Sequence, residues 1–346
     1  MVEWQSDSVG SIYNYLPPGC RICRQGAGLV LFVTGRCERS CFYCPISMER
    51  RGQDVVFADE QPVQKTADIL EEARAIRALG TGITGGEPLL RLDYVLECVT
   101  ALKLEFGPQH HIHLYSGILP KKGVLEKLKH AGLDEIRFHP PVSKWSNPVG
   151  LKEALLEAKA SGLEAGVEIP ALWSAPKIVE AVRDADAFLN LNELEFSETN
   201  FADLIDAGFL PEDLGCAATG SEDVAKEHFL KSGIKVHYCP SRFKDAVQLR
   251  ERLRRRAEHT ARPFDYVSSE GTIIHGIIEG DLEMALQILG DLEVPVEMYS
   301  RRDGEIDIAA SILEDISEEL KRGRCILSII EKYPLENGLV VDRIPL

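Results

Sequence analysis

The chain carries nine cysteines, and three share one short loop, Cys37-Glu-Arg-Ser-Cys41-Phe-Tyr-Cys44. Three thiolates at x3 then x2 spacing can hold three irons of a [4Fe–4S] cube. The fourth iron is then left without a protein ligand. That is a chemical feature, because an open iron can bind and reduce a small molecule. Further along, a second loop reads Gly85-Gly86-Glu87-Pro88. It follows a strand-like segment, and ligands in α/β sheets bind at strand ends. Two glycines let backbone approach a ligand closely.

Other cysteines offer a second chemistry. Cys20-x2-Cys23 precedes the three-cysteine loop, and His237 and Cys239 lie far down the chain. His237 and Cys239 share a strand face by the period of two. A barrel brings its first and last strands nearer than sequence suggests. Cys20, Cys23, Cys239 and His237 are therefore expected to form a tetrahedral zinc site or to hold an auxiliary Fe–S cluster. A rival reading joins Cys20 and Cys23 to Cys41 and Cys44 as a zinc ribbon in a non-enzymatic binding protein. It leaves Cys37 unused and gives Gly85–Pro88 no role. Cys98, Cys216 and Cys325 stand alone and read as small buried apolar residues.

The elements that must position these loops alternate. Strands are expected at 29–34, 82–84, 111–116, 134–139, 165–169 and 193–197. Helices are expected at 66–79, 92–106, 123–131, 150–161, 177–187 and 222–232. Six βα units argue for a parallel sheet, open or closed into a barrel. Residues 236–240 read as one further strand. The strands share a pattern. His111, His113 and Tyr115 oppose Ile112 and Leu114; Glu135, Arg137 and His139 oppose Ile136 and Phe138. Glu168 opposes Val167 and Ile169, and Glu193, Glu195 and Ser197 oppose Leu194 and Phe196. Helices claim the apolar face, so the polar face must line a lumen filled by water, cofactor and substrate.

The cysteine loop with an aromatic before its last Cys, followed by Gly85-Gly86-Glu87-Pro88, resembles the radical S-adenosylmethionine (radical SAM) superfamily. Within it the chain looks most like the compact, pyruvate formate-lyase-activase-related branch. The resemblance covers residues 28–240 and implies a partial (β/α)6 barrel. It implies that the open iron binds the methionyl group of SAM, that Tyr43 lies near the adenine, and that Gly85–Pro88 takes the methionyl ammonium, with Glu87 pairing with its charge. Ser116 is placed for the ribose hydroxyls, Arg137 for the methionyl carboxylate, and Glu168 for the ribose or the substrate. Each of these three competes with internal salt bridging, such as Arg137 with Glu168 or Glu195. The implied activity is one-electron cleavage of SAM to methionine and a 5′-deoxyadenosyl radical, which takes hydrogen from a substrate. A low-potential electron donor is implied as partner. The substrate is open between a protein or peptide, an RNA and a small molecule.

Composition bounds these readings. The 346 residues are 45% hydrophobic and carry a net charge of −16, so the average surface repels nucleic acid and membrane. No apolar stretch approaches the ~18 residues a membrane span needs. The N-terminus lacks the regions of a signal peptide, and a cytoplasmic location is expected. Three regions are expected: an N-terminal segment at 1–27, the core at 28–240, and a basic helix plus small α/β extension at 241–346. That helix, 241–261, includes Arg254-Arg255-Arg256 and is a docking strip for RNA or a solvated face paired with the acidic body. Beyond it a strand is expected at 272–278, with helices at 282–289 and 306–320.

Overall fold

The computed structural model describes residues 4–121, 123–335 and 338–346. The first three residues of the N-terminus, part of the signal-peptide reading, lie outside them. The chain forms two compact units, Met1–Arg74 with Ala78–Leu249, and Ala75–Arg77 with Arg250–Leu346.

The first unit is built on seven parallel strands. They are β1 (Gly28–Phe32), β2 (Gly80–Thr84), β3 (His111–Ser116), β4 (Glu135–Phe138), β5 (Glu164–Pro170), β6 (Phe188–Asn192) and β7 (Lys235–Cys239). Their order in space is their order in sequence, as successive βα crossovers produce. Outward-facing Leu31, Ile83, Ile112, Leu114, Ile136, Val167, Ile169 and Leu191 are fully buried. Each such side chain stabilises the fold by about 1.5–3 kcal/mol. The inward faces carry His111, His113, Tyr115, Arg137, Glu168, Asn190, Asn192, His237 and Cys239. All line one cavity of about 1050 Å³. A single cavity touched by every strand requires the sheet to curve, and the architecture is that of a partial barrel.

The sixth strand differs from expectation. It lies at Phe188–Asn192, ahead of Glu193–Ser197. Asparagine is depleted in strands, which hid the alternation of Asn190 and Asn192 with Leu189 and Leu191. The pairing is fixed by fit: Phe188 is in register with Gly166 of β5, where an added Cβ would lie 2.3 Å from the Phe188 ring. Glu193 is turned out of the sheet. Its carboxylate accepts from Tyr238 Oη at 2.7 Å and from Ser241 N and Oγ, both at 2.8 Å.

The N-terminal segment bridges the sheet's two ends. Ile12–Tyr13 pairs antiparallel with β7, Tyr13 opposite His237. The chain then enters helix α1 (Pro18–Cys23), with Pro18 at the first turn, where a missing N–H costs nothing. Gly19 of α1 donates its N–H to Glu135 Oε2 at 3.3 Å, so α1 sits against the lumen rather than outside the barrel. Helical structure at Ser241–Phe243 is followed by a π-helical stretch, Lys244–Leu249. The uniform helix expected over 241–261 is thus divided.

The second unit begins with helix Arg250–Thr260. Its six-stranded antiparallel sheet holds β8 (Ile273–Gly280), β9 (Tyr299–Arg302), β10 (Glu305–Ile308), β11 (Cys325–Lys332) and β12 (Val340–Pro345), ordered β9-β10-β8-β11-β12, with the short strand Tyr266–Val267 also paired to β8. Ile278, Ile306, Ile308 and Leu327 pack with Ala285, Leu289, Leu313 and Leu320 of the helices. Residues 306–308 are strand rather than the start of a helix, since Ile306 and Ile308 share a buried face and Asp307 takes the other. Much of the basic segment is neutralised within the unit. Arg254 pairs with Glu258 at 2.9 Å, Arg256 donates to Pro334 O at 2.6 Å, and Arg262 pairs with Asp265 and Asp307. No helix among the described residues is long and apolar enough to cross a membrane.

Candidate functional site

The loops after β1, β2, β3 and β4 meet at one end of the lumen. Backbone bonds fasten them: Gly86 N donates to Thr34 O at 2.7 Å, Glu87 N to Arg36 O at 2.8 Å, and His139 N to Ser116 O at 2.7 Å. Gly85 and Gly86 serve this junction. A Cβ on Gly85 would lie 2.5 Å from Thr34 O, and one on Gly86 2.4 Å from Arg36 O. The close backbone approach expected toward a ligand is here made toward the cysteine loop.

Cys37 is exposed, and Cys41 and Cys44 are half-buried. All three line the cavity with Tyr43, Gly85, Gly86 and Pro88. Burial pushes the Cys41 thiol up, as do the neighbouring Cys44 and Cys37, while Tyr43 and Arg39 pull it down. Three thiols in one loop, on a shared cavity wall, are a donor set that fits a [4Fe–4S] cluster with one open iron. Tyr43 is buried, its hydroxyl 3.0 Å from His139 Nε2. Burial lowers the His139 pKa to about 4, so the ring is neutral. Phe42 packs edge-on to Tyr43, stacks with Phe209 and meets Trp173 at a tilt, an aromatic cluster next to Cys41.

Glu87 is 1% exposed and its carboxylate is fully engaged. Oε1 accepts from Ser116 Oγ at 2.9 Å and Leu89 N at 3.2 Å; Oε2 accepts from Gly117 N at 2.8 Å and Arg39 Nη2 at 3.0 Å. Arg39 Nη1 also donates to His139 O at 3.0 Å. Sequence reasoning missed Arg39, which sits inside the cysteine loop with no motif to mark it.

Deeper in the lumen Arg137 is the hub. Its Nε donates to Glu135 Oε1 at 2.5 Å, and its Nη1 to Tyr115 Oη at 3.0 Å and Glu168 Oε2 at 2.8 Å. Glu168 also accepts from Asn190 at 3.0 Å and Asn192 at 2.8 Å. Despite burial, the Arg137 guanidinium lowers the pKa of both Glu135 and Glu168. The internal bridge to Glu168 is thus formed, whereas Glu195 pairs instead with Lys244 at 2.6 Å. Asn190 and Asn192 are lumen residues that the misplaced sixth strand concealed, and Lys244 joins them from the segment after β7.

Cys20, Cys23, His237 and Cys239 line this same cavity. Cys20 Sγ accepts from Asn190 Nδ2 at 3.3 Å, and Cys239 lies within electrostatic reach of Cys23 and Cys20. Among the described residues no three His, Cys, Asp or Glu side chains are drawn together at metal-binding spacing. That holds for Cys37, Cys41 and Cys44 as well.

Comparison with known proteins places this geometry. Residues 31–141 match the Radical SAM superfamily, and residues 271–346 match a domain of unknown function. A Methanocaldococcus jannaschii protein named "Putative glycyl-radical enzyme activating enzyme" is 38% identical over 96% of this chain and 94% of its own length. A PqqA peptide cyclase of Granulibacter bethesdensis is 31% identical over 32% of this chain and 28% of its own. The solved structure of a methylornithine synthase covers 51% of this chain and 58% of its own, at 14% identity and a TM-score of 0.39, too distant to carry an argument. The zinc-ribbon reading falls with these findings: the chain belongs to the radical SAM superfamily and is a radical SAM enzyme, with a [4Fe–4S] cluster and SAM as its cofactors.

Proposed function

We propose that this enzyme is an activase that removes a hydrogen atom from a glycine of a partner protein. The observation that carries this is the likeness to the M. jannaschii protein, which runs nearly the full length of both chains. The lumen supports it. A cavity of about 1050 Å³ admits a peptide loop. Its wall carries the amides of Asn190 and Asn192, of which Asn190 Oδ1 has no partner among the described residues and would accept from an extended backbone.

When bound, the cluster and SAM supply a one-electron cleavage and a carbon centre that accepts hydrogen; the electron comes from a low-potential donor. Cys37, Cys41 and Cys44 hold the cluster. Phe42, next to Cys41 and packed on Trp173 and Phe209, would shield one side of the cluster. Tyr43, held by His139, would flank the adenine. Glu87, whose carboxylate is held by Ser116, Leu89, Gly117 and Arg39, would receive the methionyl ammonium only by exchanging one of them, while Gly85, Gly86 and Pro88 set its loop against the cysteine loop. Ser116, Arg137 and Glu168 each hold protein partners, so each contacts SAM only by exchanging one.

The reading is tested with reduced enzyme, SAM and the soluble proteome of cells grown on α,α-dideuterated glycine. Deuterium should enter 5′-deoxyadenosine, and a glycyl radical signal should develop in the protein fraction. Label arising only from the small-molecule fraction, or SAM cleavage with no deuterium uptake, would refute an activase.

A further inference from the structure

We propose that Cys20, Cys23 and Cys239, together with His237, form a second metal centre that takes zinc. Three observations converge on it. Cys20 and Cys23 are three residues apart on α1, so their sulfurs share one helix face. The strand Ile12–Tyr13 ties the segment leading into α1 to β7, with Tyr13 opposite His237. The tether therefore holds both halves of the donor set on one cavity wall, although they lie far apart in sequence. His237 is 4% exposed, and its Nδ1 has no hydrogen-bond partner among the described residues. A buried imidazole nitrogen without a partner, on a residue that lines the cavity, calls for an explanation.

The chemistry selects the metal. Three thiolates and one imidazole are the donors of tetrahedral structural zinc sites. None of these cysteines is in a disulfide. Asn190 Nδ2, 3.3 Å from Cys20 Sγ, already supplies the kind of N–H that steadies a metal-bound thiolate. The sulfurs stand apart, and binding the ion would have to draw them together. The centre is separate from Cys37, Cys41 and Cys44, which belong to the loop beyond β1. By linking α1 to β7 it would fasten the N-terminal segment across the sheet's open side, since metal binding is coupled to folding.

The test is metal content of the anaerobically prepared full-length protein, which needs no activity. One zinc per chain is expected in addition to the cluster iron. Cys239→Ser and the Cys20→Ser/Cys23→Ser pair should lose that zinc and keep the iron. A variant with Cys37, Cys41 and Cys44 all changed to Ala should lose the iron and keep the zinc. Wild-type protein with cobalt in place of zinc should show the intense visible bands of tetrahedral thiolate coordination, and His237→Ala should shift them. This measurement stands even if the cysteine variants fold poorly. Wild-type protein without metal beyond the cluster iron overturns the proposal. So does zinc that survives Cys239→Ser, or a second complement of iron and sulfide in its place.

Discussion

Arg39 Nη2 stands 3.0 Å from Glu87 Oε2, and the pair closes the space between the cysteine loop and the Gly85–Pro88 loop. A Cβ on Gly117 would lie 1.4 Å from the Arg39 guanidinium, so Gly117 makes room for it. If Glu87 receives the SAM ammonium, that ammonium competes with Arg39 for one carboxylate. A charge-assisted contact of this kind contributes about 1.5–3 kcal/mol. Glu87→Ala should therefore weaken SAM binding roughly ten- to a hundredfold with iron content unchanged. Arg39→Met removes the competitor and should tighten SAM binding by up to about tenfold. Equilibrium dialysis of the reconstituted proteins measures both. Weaker binding in both variants would show that Arg39 supports the SAM site rather than competing for it.

The cluster itself is tested at Cys41. Two thiolates cannot hold the cube, so Cys41→Ala should lose both the iron and the production of 5′-deoxyadenosine under reducing conditions. Cys98→Ala, which removes a thiol on a helix away from the lumen, should keep both. Deoxyadenosine production that persisted in Cys41→Ala would contradict the assignment.

The cysteine loop, the Gly85–Pro88 loop and the polar inner faces of β3 and β4 were legible because each is a local pattern, a spacing or a period of two. The sixth strand was not, because Asn190 and Asn192 look like loop residues until β5 and β7 pair with both edges. Residues 306–308 were lost to a helix for a related reason: a four-residue strand offers too little period to outweigh the helical run beyond it. Arg39 and Lys244 could not be read at all. Their partners, Glu87 and Glu195, become neighbours only when separate loops converge.

Buried histidines, His110 and His113 with His139 and His237, should set the response to mild acid. Burial, reinforced by Lys103, lowers the His110 pKa to about 4; burial, reinforced by Arg137, lowers that of His113 to about 3. In the unfolded chain these histidines protonate near pH 6.5. Below that point the unfolded state binds protons that the native state refuses, so stability falls as pH drops from about 6.5 toward 4. Each histidine contributes a slope of about 1.4 kcal/mol per pH unit. Glu135 and Glu168, whose folded pKa values are lowered, add stability that is lost only below their unfolded value of 4.5. The window from about 6.5 to 4.5 thus reports histidine burial. His110→Gln, which keeps a hydrogen-bonding group for Thr81, should flatten that slope by one proton's share. Urea denaturation at about pH 7, 6 and 5 measures it. An unchanged slope would mean that His110 is protonated in the folded protein.

The seat of α1 in the lumen depends on a missing side chain. An added Cβ at Gly19 would lie 2.6 Å from His113 Nδ1 and 2.7 Å from Arg137 Nη2. Arg137 cannot withdraw without breaking its bonds to Glu135, Glu168 and Tyr115. Gly19→Ala should therefore destabilise the protein by about 1–3 kcal/mol, the usual cost of overpacking. It should also lift α1, so that Cys20, now 9% exposed, reacts faster with a thiol reagent in metal-free protein. Gly290→Ala is the matched control. Gly290 lies within a helix, has no atoms within 4 Å of its added Cβ and has no positive φ. There the exchange should stabilise by about 0.5–1 kcal/mol through helix propensity. Thermal unfolding and the labelling rate of Cys20 decide the matter together. A Gly19→Ala protein of wild-type stability with Cys20 still protected would show that α1 does not rest against Arg137 and His113.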